Sequence, residues 1–175
     1  MRIDNFRQLA DYNHWANKRI YAVALEMPDE QYRRPTGVFF GSLHGTLNHL
    51  LVTDRIWLKR LTGEGEAPVR LNAILFEDRN ELARARMAED ARLQRVISAT
   101  SEADLDRQVG YHTTSGTPHQ QMLGDILLHL FNHQTHHRGH AHACCSILTG
   151  QEPPSLDLLM FQRGVPAPEL AIQPA

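Results

Sequence analysis

At 175 residues the chain is long enough for one domain that buries most of its unfolded surface without help from disulfides. Eighteen Lys and Arg against 20 Asp and Glu leave a formal charge of −2, which argues against an overall basic field for nucleic acid or an anionic membrane. No segment approaches the roughly 20 apolar residues of a membrane span, the start is polar from Arg2 on, and the only cysteines are the adjacent Cys144 and Cys145, so a soluble, cytoplasmic protein is expected.

Phe6, Leu9, Asn13, Ala16, Ile20, Val23 and Met27 recur at steps of three and four, which predicts a first helix with Asp4 as its N-cap. Pro28 and Pro35 frame a connector. Ser42 then starts a second helix with the stripe Leu43, Leu47, Leu50, Asp54, Trp57 and Leu61, ended by Gly63 and Gly65. A third helix, from about Phe76 to Thr100, has weak apolar patterning, and its Arg86, Glu89 and Asp90 read as a solvated face. From Arg107 to Pro118 the sequence turns β-branched around Ser115-Gly116, which suits a small hairpin or an extended loop. The fourth helix runs from about His119 to Thr149 and stops at Gly150 before Pro153 and Pro154. A short amphipathic helix, Leu156 to Gln162, closes one end. The reading is all-α: a four-helix bundle with a short extra C-terminal helix, residues 1–165 forming one metal-binding domain and 166–175 a flexible tail.

The fourth helix carries the chemistry. Five of the 11 histidines fall between His129 and His140. His133 and His137 are four residues apart, so their imidazoles share one face, and they sit in line with Leu123, Ile126, Leu130, Ala141, Cys144 and Leu148. Two imidazoles buried there without partners would cost a few kcal/mol, which favours ligation of a metal over two separate core histidines. His129, His136 and His140 are close enough to compete. A third ligand must come from elsewhere, and the second helix offers His44, His49 and Asp54. Periodicity favours Asp54, because His49 lies off the main stripe, on a face with Val52 and Ile56. Spacing alone leaves that ligand open.

The runs Tyr12-Asn13-His14-Trp15-Ala16-Asn17, Phe40 to Leu51, Asp54 to Leu58 and His129 to Gly139, with its Asn-His-Gln-Thr-His-His-Arg-Gly string, resemble the DinB/YfiT-like family of proposed metalloenzymes over nearly the whole chain. That resemblance implies a four-helix bundle, commonly a homodimer, with a divalent ion held by one His of the second helix and two of the fourth. Carried over by position, the ligands are His49, His133 and His137. Where relatives usually have Gln after Arg-Gly, this chain has His140, open to service as a fourth ligand or a pocket base. Three imidazoles leave a coordination position free, as catalytic rather than structural zinc sites do. The resemblance implies a thiol-dependent transferase in which zinc or nickel activates a low-molecular-weight thiol, or water, toward a small-molecule substrate. The alternative is a non-catalytic metal or small-molecule binding protein of a stress response. Nucleic-acid binding, the third reading, is disfavoured by the charge.

Around the triad, Asp54 is read either as support for a ligating imidazole or Arg138, or as half of a structural ion pair. Asn132 and Arg138 either line the pocket or cap neighbouring groups, and for Arg138 a surface or interhelical ion pair is the favoured reading. Tyr12, Trp15 and Trp57 are expected in the core or at a dimer seam, and the two cysteines as small buried hydrophobes.

Overall fold

The computed structural model describes residues 2–173. Four long helices dominate it: α1 (Ile3–Glu26), α3 (Leu43–Thr62), α4 (Arg79–Ala99) and α5 (Leu123–Thr149). The short α2 (Asp29–Arg33) follows α1, a 3₁₀ turn (Ala103–Asp106) and a hairpin of β1 (Gln108–His112) and β2 (Pro118–Met122) precede α5, and α6 (Leu158–Gln162) lies near the end.

Local chemistry sets the boundaries. Ser42 accepts a hydrogen bond from the Gly45 N–H and caps α3, while Gly63 and Gly150 take left-handed φ values of 76° and 66° to end α3 and α5. The N-cap of α1 is Arg2 and not Asp4: the Asn5 side chain accepts from the Arg2 N–H at 3.0 Å, so Asp4 falls inside the first turn. The helix expected from His119 begins at Leu123, because residues 118–122 pair with β1 in an antiparallel register that sets Val109 opposite Gln121.

Each long helix packs mainly on two others, α1 and α3 each touching both α4 and α5. Contacts fix their directions. Gln94 and Asp90 of α4 meet Asp11 and Asn17 of α1, and Trp57 and His49 of α3 meet His129 and His137 of α5, so both pairs are antiparallel. Phe6 stacks on Phe131 while Asn13 meets Arg138, so α1 and α5 are parallel. The order along the chain is up, down, down, up.

The apolar interior has two halves. One gathers Ile20, Tyr21, Leu47, Leu50, Leu82, Cys144, Cys145 and Leu148, the other Phe6, Leu58, Leu93, Ile97, Leu127, Leu130 and Phe131. Between them lies a buried polar layer. Arg86 pairs with Asp54 at 2.7 Å and with Asp90 at 2.9 Å. Asp90 accepts from Asn13 and Asn17, and both amide oxygens accept from Arg138, at 2.6 and 3.0 Å. Gln134 donates to Asp54 and to the Leu50 carbonyl. Arg86 and Asp90 are each 1% exposed, so the expected solvated face of α4 is instead the centre of the bundle, where two cations and two anions balance.

The C-terminal segment is also bound. Leu170 and Ile172 pack against the first core half, and the Gln173 backbone donates to the Asn80 side chain and accepts from the Arg84 guanidinium. Residues 166–173 therefore lie on the bundle; positions 174 and 175 of the expected tail fall outside the described residues.

Candidate metal centre

Helix α3 is buried on most of its circumference, 13 of its 20 residues lying in the interior. A residue off its main stripe can therefore still face another helix. His49 does so: it is buried and faces α5, where its Nε2 lies 3.3 Å from His133 Nε2, and its ring is 4.5 Å from that of His137. One ligand nitrogen from each of His49, His133 and His137 lies within 4.8 Å of the other two. Two nitrogens bound tetrahedrally at zinc distances stand about 3.3 Å apart, so the His49 and His133 spacing suits a shared ion.

The line drawn from sequence through His133 and His137 is one residue off the true core stripe. Gln134 and Arg138 occupy the fully buried positions of α5, while the two histidines are partly exposed in the groove against α3. That placement keeps them reachable by a small molecule.

Tautomer and orientation are set by the surroundings. His49 Nδ1 stands 2.7 Å from the Leu71 carbonyl, which can only accept, so Nδ1 carries the proton and the Nε2 lone pair is free. Leu71 lies in the α3–α4 connector, held by Asn48: its Oδ1 accepts from Leu75 and Phe76 at 2.8 and 3.1 Å, and its Nδ2 donates to the Phe76 carbonyl. Phe40 stacks on His49 with centroids 3.6 Å apart and meets His137 edge-on. Its loop comes so near the first turn of α3 that a Cβ on Gly45 would collide with the Phe40 carbonyl.

Burial lowers the pKa of all three imidazoles. His133 is pushed down to about 3, chiefly by burial and then by His137 and His49, and His137 to about 4, by burial and then His49. His49 is lowered by burial, with the Leu71 hydrogen bond opposing. All three are neutral at pH 7, the state a metal requires. The His137 Nδ1 is buried without a hydrogen-bond partner. The donor set thus fits a divalent ion.

The remaining candidates are dispersed. His129 is exposed, 5.8 Å from His133 between centroids, and lines a cavity against Trp57. His140 clusters with His136 and His137 on the outer side of α5 rather than with His49 and His133. Asn132 is exposed on another face, beside Asp125 and Leu128. Asp54 touches no imidazole and holds Arg86 and Gln134, which makes it half of an ion pair. Arg138 is 2% exposed, bonds to two asparagines and lies over the Tyr12 ring, in place of the ion pair expected from sequence. Tyr12 and Trp15 pack with Phe161 of α6.

Next to the triad a cavity of about 330 Å³ is lined by His49, His133, His129, Trp57, Arg60 and Leu71, with Tyr111, Thr113 and Thr114 of the hairpin as its outer wall. A larger space of about 410 Å³ between α1 and the C-terminal segment carries Glu26 but no imidazole, so the cavity beside the triad is the candidate site. The sequence does not single out Asn48, Phe40, Arg60 or the hairpin as parts of the site. The Phe-Gly-Ser that precedes α3 was a visible signal, whereas the Leu71 carbonyl had none.

An up-down-down-up bundle in which the second and fourth long helices bring three imidazoles to one point defines a class of histidine-centred helical proteins. The DinB family profile matches residues 1–170, and the chain belongs to that family. Protein DinB of Bacillus subtilis (strain 168) is 24% identical over 136 residues, covering 75% of this chain and 79% of that one. A crystal structure of a DinB-like protein from Bacillus cereus ATCC 10987 shares the fold, with a TM-score of 0.62, 19% identity and 97% coverage of both chains.

Proposed function

We propose that this protein is a metal-dependent enzyme, a transferase that uses a thiol, with His49, His133 and His137 holding a divalent ion. The observation that carries the reading is the meeting of three neutral imidazoles, two of which, His49 and His133, line a cavity large enough for a small molecule. Zinc or nickel bound there would supply a Lewis acid that lowers the pKa of a thiol or water. The chain's own part is to present the lone pairs, through the Leu71 carbonyl at His49 and the Phe40 ring against it, and to leave one side of the triad open to the cavity. His129 at the cavity wall is the group placed to hold or release a proton. The partners of this reading are a small-molecule substrate, a low-molecular-weight thiol and a second copy of the chain.

The test is metal analysis of protein purified without an affinity tag, beside His49→Ala, His133→Ala and His137→Ala, followed by thiol titration of the cobalt-substituted protein. Near one ion per chain, lost in each variant, and a thiol-to-cobalt charge-transfer band support the reading. Metal retained in the His49 variant, or a spectrum unmoved by any thiol, removes it. A second reading, a binding protein without turnover, is favoured by one observation: no carboxylate lines the cavity to serve as an acid or base beside His129. Turnover of any thiol and electrophile pair would exclude it.

A further inference from the structure

The cavity beside the triad has a far end that the metal chemistry does not use. Arg60 stands there, 11 residues after His49 on α3, which places the two Cα atoms about 16 Å apart along the helix. Its guanidinium lies over the rings of Trp57 and Tyr111, 4.6 and 4.8 Å from their centroids. One N–H donates to the His112 carbonyl at 2.8 Å, which fastens the arginine to the hairpin and leaves four of its five donors for other partners. Among the described residues no carboxylate pairs with it, although seven others of the chain's arginines and lysines do form ion pairs. No Asp or Glu lines the cavity either. A divalent ion at the three neutral imidazoles would add positive charge at the other end, with nothing on the walls to offset it.

We propose that Arg60 is a specificity residue that receives the carboxylate of a small anionic ligand, whose apolar body lies on Trp57 and Tyr111 and whose other end reaches the histidine triad. The proposal rests on the reading of this cavity as the ligand site, and it names the substrate class: an elongated carboxylate-bearing molecule, rather than a neutral or cationic one. The planar fork of Arg60 matches a carboxylate in two-point fashion, and its aromatic platform limits how far the guanidinium can turn away. The hairpin between α4 and α5 thereby becomes the element that sets ligand choice, because it supplies both Tyr111 and the carbonyl that steadies Arg60.

The experiment is calorimetric titration of the zinc-loaded protein with 3-phenylpropionate and its neutral counterpart 3-phenylpropan-1-ol, repeated with metal-free protein, Arg60→Gln and Arg60→Lys. Neither probe carries a thiol or a reactive group, so failure of the transferase reading leaves this result untouched. The acid should bind about tenfold to a hundredfold more tightly than the alcohol, the range of a charged hydrogen-bonded contact. The preference should survive metal removal, weaken in Arg60→Lys and vanish in Arg60→Gln. Equal binding of the two probes, or no binding of either at millimolar concentration, overturns the proposal. So does a preference that persists in Arg60→Gln and disappears with the metal, which would place the carboxylate on the ion. Should the glutamine variant unfold, the lysine variant and the metal-free arm still decide between the two placements.

Discussion

Asn48→Ala isolates the support of the triad without touching any imidazole. Asn48 is fully buried and holds the α3–α4 connector by accepting from Leu75 and Phe76 and donating to Phe76. Truncation removes all three bonds and leaves two backbone N–H groups without an acceptor, at about 1–3 kcal/mol for each that stays buried. The connector can escape that cost by lifting into water, and lifting carries away the Leu71 carbonyl that orients His49. Loss of such a partner lowers metal affinity about 10–100-fold, equivalent to about 1.4–2.7 kcal/mol. Competition against a chromophoric chelator measures the affinity, and urea unfolding of the metal-free variant measures the cost to the fold. An affinity within threefold of the parent, in a variant with a normal transition, would show that the carbonyl does not orient His49.

Gly45→Ala should lower the Tm despite alanine's advantage of about 1 kcal/mol within a helix, because the new methyl group meets the Phe40 carbonyl. Calorimetry decides the sign, and metal affinity should fall with it as Phe40 leaves the His49 ring. Arg86→Met should cost about 3–5 kcal/mol, since Asp54 and Asp90 lose their shared cation in the interior. Burial raises the Asp54 carboxyl to about 6 even with Arg86 present, so the penalty should be smaller at pH 5 than at pH 8 in urea titrations. The metal-free protein should lose stability as pH falls from 6.5 toward 3: His133 and His137, at about 3 and 4 when folded, stay neutral while the unfolded chain takes up protons at the ordinary histidine value. Asp54 opposes this between pH 6 and 3.8, because its raised pKa makes the folded state the better proton acceptor there. A midpoint that rises on acidification through this window would contradict the histidine assignment.

Where an element's identity depends on its own neighbours in sequence, it was readable in advance. Ser42 starts a helix and Gly63 and Gly150 end helices through bonds and backbone angles made within a few residues, and the α3 and α5 boundaries they mark are those observed. Burial of charge was not readable, since Arg86 and Asp90 at an i,i+4 spacing look alike in water and in a core. Their inward direction is decided by Asn13 and Asn17 of α1 and by Arg138 of α5, which no pattern within α4 reveals. The helical wheel placed His49 away from a single buried stripe, whereas α3 touches both α4 and α5 and therefore has two inner faces. The pattern misplaces the start of α5 because His119, Gln120 and Gln121 are polar and, like Met122, exposed, and only pairing with β1 draws them into a strand.

The balanced charges across the bundle act as a vernier for the triad. Gln134 and Arg138 each follow a triad histidine directly in sequence, and both engage partners on other helices that a purely apolar core would leave free to slide. Sliding α5 by one turn, about 5.4 Å, would leave guanidinium and carboxylate groups facing hydrocarbon, while greasy side chains could repack at modest cost. The interior therefore sets the longitudinal alignment of α5 against α3 to within a fraction of a turn, the tolerance that imidazole nitrogens 3.3 Å apart demand. Replacing the whole layer, Asn13, Asn17 and Gln134 together with the two arginines and two aspartates, by apolar residues of similar volume should leave the molecule as resistant to urea as before, yet looser in its hold on metal.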